Sequence, residues 1–147
     1  MKAAGFGMLR FGYESSATVH AGDTSAKISR KEADARITSL LNAGFDGNRI
    51  GVYVMAGLPG QTPNQVLEEI DFLLDCGVKP KPVWLSPVPG TRLFDHYARE
   101  FPSIKTDPLW HNDMFFVTQL PGWSWEAMEK IRARAARRPL DDDFSSS

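Results

Sequence analysis

Apolar positions fall into two periods along the chain. Three short runs, Met8-Leu9-Arg10-Phe11, Ile50 to Met55 and Val83-Trp84-Leu85, are rich in β-branched or aromatic residues, as buried parallel strands are. Each follows a stop signal containing glycine: Ala3-Ala4-Gly5-Phe6, Asn42-Ala43-Gly44-Phe45 and Asp75-Cys76-Gly77-Val78. Glycine just past a helix supplies the left-handed turn that ends it. Helical stripes fill the gaps. Ser29 and Glu32 form a capping box ahead of Ala33, Ile37, Leu40 and Leu41. Thr62, Pro63 and Gln65 open a second helix with Val66, Leu67, Ile70, Leu73 and Leu74 on its inner face. Thr91 caps a third helix, with Leu93, Phe94 and Tyr97 inward, and Ser124 caps a last one carrying Met128, Ile131 and Ala135.

The order strand–helix, three times over, predicts an α/β fold: parallel strands alternating with helices and joined by right-handed crossovers. Three βα units over 1–101 are followed by an extension over 102–138 and a polar tail over 139–147, expected to be disordered. The extension has no clear period, but Trp110, Phe115, Phe116 and Trp123 predict that it packs. The first stop signal, Met1 to Gly5, arrives without its helix, so the pattern reads either as a start in mid-architecture or as a ragged N-terminus.

Composition narrows the function classes. The 147 residues are 42% hydrophobic and 24% charged, with a formal net charge of −1. That balance gives no reason to expect nucleic acid or an anionic membrane as partner. No apolar stretch is long enough to span a bilayer, and the chain is expected to be cytoplasmic. Cys76 is the only cysteine, so one chain holds no internal disulfide and no cysteine-ligated cluster. Late in a helix, Cys76 reads as a small buried apolar residue. His20, His96 and His111 are dispersed, and the four tryptophans read as core, since no basic residues interleave with them.

In parallel α/β folds, functional groups collect at the C-terminal ends of strands. Three loops fall there. In Gly12-Tyr13-Glu14-Ser15-Ser16, Glu14 and Ser15 either cap a helical turn or accept hydrogen bonds from a ligand amine or ribose. Gly57-Leu58-Pro59-Gly60-Gln61-Thr62 is either a tight turn or a close backbone approach to a ligand. It lacks the lysine and spacing of a phosphate loop. Ser86-Pro87-Val88-Pro89-Gly90-Thr91 is either a stiff connector or a third wall of a site.

Taken together, in this order and spacing, the three loops resemble the second half of the radical S-adenosylmethionine barrel, a (βα)6 partial TIM barrel. The likeness covers roughly residues 1–100. It implies an S-adenosylmethionine site. Glu14 would lie near the methionine or ribose part, with Ser15 beside it. Met55 would pack on adenine, two positions before Gly57. Gln61 stands where the family turn usually has glutamate. Backbone near Ser86 and Pro87 would face the adenosine. Arg10 either points into the barrel or meets solvent. The family's four-iron four-sulfur cluster needs a CxxxCxxC loop that this sequence lacks, so the isolated chain is expected to be inactive in reductive S-adenosylmethionine cleavage. The expected role is a fragment or split subunit of such an enzyme. The other roles left open are a non-catalytic adenosine-ligand binding module and an oligomeric scaffold. Three strands with open edges and an apolar inner face also predict association, as a homo-oligomer or with a separate N-terminal barrel half.

Overall fold

The computed structural model describes Gly5 and residues 7–13 and 28–137. Three strands, β1 (Leu9–Tyr13), β2 (Ile50–Ala56) and β3 (Lys79–Trp84), form one parallel sheet in the order β1-β2-β3. The first crossover carries α1 (Arg30–Asn42) and the second carries α2 (Pro63–Asp75). The chain is therefore an α/β protein with sequential parallel strands.

Local chemistry accounts for the helix boundaries. The Ser29 hydroxyl accepts from the Glu32 N–H while the Glu32 carboxylate accepts from the Ser29 N–H. Thr62 and Gln65 repeat the arrangement at α2, with Pro63 at its first position. Each box satisfies N–H groups that a helix start leaves unpaired. Gly44 and Gly77, with φ of 89° and 82°, turn the chain out of α1 and α2.

The third strand begins four residues before the apolar run that announced it. Lys79-Pro80-Lys81-Pro82 belongs to β3. The Leu85 N–H donates to the Ala56 carbonyl at 2.8 Å, continuing the ladder beyond the strand. The N–H groups of odd-numbered residues in β3 thus point to β2, and Pro80 and Pro82 fall where no N–H is needed for pairing. Proline is confined to such positions on edge strands, and it leaves that edge poor in donors for a further strand.

Both crossover helices lie on one face of the sheet. Arg30 of α1 meets Glu69 of α2 at 2.9 Å, so the two helices run side by side. Ile50, Val52, Val54 and Ala56 point toward them and are at most 3% exposed. Helix α5 (Trp125–Ala135) packs beside α2, and its Arg132 stands over the Trp84 ring at 5.6 Å.

Residues after α3 (Arg92–Glu100) fold as two 310 turns, Pro102–Lys105 and Pro108–His111, and a short helix α4 (Asp113–Thr118). Ile104, Phe116 and Val117 are fully buried and belong to the same apolar cluster as Val54 and Ile70. Phe116 meets the Tyr97 ring edge-on at 4.8 Å. The extension thus shares the core of the βα units. Of the four tryptophans expected in the core, Trp123 is buried and Trp84 and Trp110 are half-buried, whereas Trp125, the first residue of α5, is exposed.

Candidate functional site

On the other face of the sheet most described side chains are exposed or half-buried. Parallel pairing puts Arg10 level with Gly51 and Lys79, Gly12 level with Tyr53 and Lys81, and Met55 level with Val83. Side chains alternate across a sheet, so these three rows share that face. Arg10, Gly12, Lys79 and Val83 are exposed; Tyr53, Lys81 and Met55 are half-buried.

A cavity of about 340 Å³ opens on this face toward the C-terminal ends of the strands. Gly12, Tyr13, Tyr53, Met55 and Val83 line it, and its surface is almost wholly apolar. Gly12 leaves the floor open: a Cβ there would meet nothing within 4 Å. Below the cavity the Arg10 guanidinium donates to the Tyr53 hydroxyl at 3.3 Å. An apolar wall beside exposed cations suits a planar, partly polar ligand.

The residues nominated from sequence separate into three groups. Met55 lines the cavity and Arg10 flanks it. Glu14 and Ser15 lie outside the described residues. Gly57, Gln61, Ser86 and Pro87 sit at the strand ends but do not line the cavity.

Their surroundings explain why. The Gln61 side-chain oxygen accepts from the N–H groups of Gly57, at 2.8 Å, and Leu58, at 3.1 Å, while its amide nitrogen donates to the Met55 carbonyl at 3.0 Å. The Gly57 carbonyl accepts from the Tyr97 hydroxyl at 2.9 Å, and the Gln61 carbonyl from the Trp123 indole at 3.0 Å. Every one of these groups is engaged within the fold. Burial holds the Tyr97 hydroxyl well above the ordinary tyrosine range, so it stays a donor. An amide at position 61 suits the turn, because one end must accept and the other must donate. Gly57 has φ of 99°, and a Cβ there would come within 2.9 Å of the Val117 Cγ2. Its missing side chain accommodates the extension. Ser86 donates to the His111 carbonyl at 3.2 Å, and Pro87 is buried.

Tyr53 and Lys81 were not singled out in the sequence. The available signal was parity: Gly51, Tyr53 and Met55 alternate with the buried Val52, Val54 and Ala56. A fully covered strand would not carry a tyrosine and a glycine on one face so readily.

Cys76 is a helix cap in contact with Asp34, on the helix-covered side of the sheet. Burial, followed by the nearby Asp34 charge, pushes its thiol up to about 11. At pH 8 such a thiol is roughly 0.1% thiolate. Alkylation by iodoacetamide is therefore expected to be about a hundred times slower in the folded chain than in urea, and Asp34→Asn should speed it. Equal rates folded and unfolded would contradict the placement.

The geometry defines a class: a parallel α/β protein whose helices cover one sheet face and whose other face carries an apolar cavity beside cations. The chain matches no protein-family model, no curated protein and no solved structure.

Proposed function

We propose that this chain forms half of a radical S-adenosylmethionine-type barrel and holds the adenosine part of S-adenosylmethionine on its bare sheet face. The observation that carries this reading is the one-sided winding. Sequential parallel strands with both crossover helices on one face are the construction of a barrel wall, whose ligands gather at the C-terminal ends of the strands. The cavity beside Met55 and Val83 adds support, since an adenine ring needs an apolar surface to lie on.

The chain's own residues do not fit a four-iron four-sulfur cluster. Its one cysteine is a high-pKa helix cap on the opposite side of the sheet, and no group of three His, Cys, Asp or Glu among the described residues could hold a metal. No radical step is assigned to the chain alone. Its part is to position ligand: Met55 and Val83 shield one ring face, and Glu14 is proposed for the ribose or methionine end. A second polypeptide segment would cover the bare face and complete the wall.

Calorimetric titration with S-adenosylmethionine tests the reading. The expected result is weak binding by the wild type, reduced at least about tenfold (~1.4 kcal/mol) in both Met55→Asp and Glu14→Ala. No heat with the wild type, or affinity unchanged in both variants, removes the reading.

A further inference from the structure

We infer that Arg10 and Lys81 form an oxyanion site over Gly51, taking the phosphate group of a phosphate ester whose organic part lies along Tyr53. The inference rests on reading the bare face as a ligand surface, and it names the class of a second ligand there.

Gly51 is the centre of the arrangement. A Cβ built on it would meet the Lys81 Cε at 3.4 Å and the Arg10 Cγ at 3.5 Å. The stems of two cationic side chains, one from each flanking strand, therefore meet over one residue that has no side chain, while the Arg10 guanidinium itself reaches the Tyr53 hydroxyl. Register alone does not require this. Lys81 is level with Tyr53, one row nearer the strand ends, yet its stem reaches back over Gly51. Lys79, level with Gly51, adds a third cation to the same row.

None of these cations has a carboxylate partner among the described residues. The ion pairs lie elsewhere, on the helices: Arg30 with Glu69, Arg132 with Glu129, and Arg134 with Asp71. An anion bound between the two charged ends would lower whatever repulsion they have. The Tyr53 hydroxyl, already accepting from Arg10, adds a neutral group that can turn its own proton toward an oxyanion. Two cations and a hydroxyl suit the dianionic, three-oxygen end of a phosphate ester better than a monoanionic carboxylate. The Tyr53 ring then leads from the anion toward the cavity at Met55 and Val83. Gly51 and Met55 are four residues apart on β2, about 13 Å at strand rise, so the phosphate does not compete for the Met55 row.

Phenyl phosphate is the probe, followed by amide chemical shifts and by calorimetry on the whole chain. The arms are inorganic phosphate, phenol and benzoate. Phenyl phosphate is expected to shift the Gly51 amide and to bind at least tenfold tighter than phenol or benzoate, with inorganic phosphate between. Lys81→Gln and Arg10→Gln should each weaken it about tenfold, and Lys81→Arg should restore most of the affinity. Both lysine variants change an accessible side chain on a formed strand, and their melting curves report whether they fold. Equal binding of benzoate overturns the phosphate assignment. Equal binding of phenol, or no loss in Lys81→Gln, overturns the site. No shift with phenyl phosphate does so too, and would leave the cations to a carboxylate from a covering polypeptide. Heat from S-adenosylmethionine without any from phenyl phosphate sinks this inference alone; the reverse sinks the adenosine reading and leaves the oxyanion site standing.

Discussion

Gly57→Ala is expected to lower the melting temperature by roughly 10 °C, corresponding to about 3 kcal/mol. Two costs add. The φ of 99° lies where an L side chain strains against its own backbone, a cost of about 1–2 kcal/mol. The new methyl would also press on the Val117 Cγ2 at 2.9 Å and the Leu85 Cβ at 3.4 Å, and overpacking of this kind costs about 1–3 kcal/mol. Relief by backbone movement is obstructed, because the Gly57 N–H and carbonyl are held by Gln61 and Tyr97. Gly60→Ala is the control. Gly60 has φ of 73° with nothing within 4 Å of a built Cβ, so it should lose only about 1 kcal/mol. Adding Val117→Ala to Gly57→Ala should recover part of the loss, a positive coupling that a thermal-melt double-mutant cycle reads directly. Equal effects at positions 57 and 60 would mean that the extension does not press on the turn.

That contrast shows which parts of the fold were legible in the sequence. Helix ends are governed by residues three or four apart, so Ser29 with Glu32, Thr62 with Gln65, and the caps at Thr91 and Ser124 could be read directly. The strand–helix order followed from the same local signals. The start of β3 did not, because Lys-Pro-Lys-Pro argues against a strand until the direction of each N–H is known. The site was legible in part. Met55 is nominated only by the family resemblance, two positions before Gly57, and Arg10 by its alternation with Leu9 and Phe11. The Gly57 turn combined two roles that sequence cannot separate: a glycine needed for a ligand and a glycine needed for a packed helix look alike. Residues 102–122, which decide between them, are placed by long-range contacts such as Val117 against Gly57. Lys81 was hidden in the same proline-rich stretch that concealed the strand.

A second glycine carries a larger expected effect and bears on how the sheet is seated. Gly47 opens the 310 turn Gly47–Arg49 that leads into β2, with Asp46 capping it by accepting from the Asn48 N–H at 2.9 Å. A Cβ on Gly47 would overlap the carbonyl oxygen of Gly77, and Leu41 closes the space behind at 3.5 Å. The obstacle here is backbone, not a side chain that can rotate away. Gly77 in turn is fixed by its φ of 82° and by the N–H it donates to the Leu74 carbonyl at 2.9 Å. The turns that enter β2 and β3 are thus packed against each other. Gly47→Ala must separate them and displace the start of the sheet, at an expected cost of at least roughly 3–4 kcal/mol. Gly77→Ala, whose Cβ meets nothing within 4 Å, should cost only the conformational strain, about 1–2 kcal/mol. Chemical denaturation of the two variants separates the effects, and Gly47→Ala should also shift the Ile50 and Gly51 amides. If Gly47→Ala proves no worse than Gly77→Ala, the close seating of the two turns is wrong. The spacing of β2 and β3, on which the Arg10–Lys81 convergence over Gly51 depends, would then have to be redrawn as well.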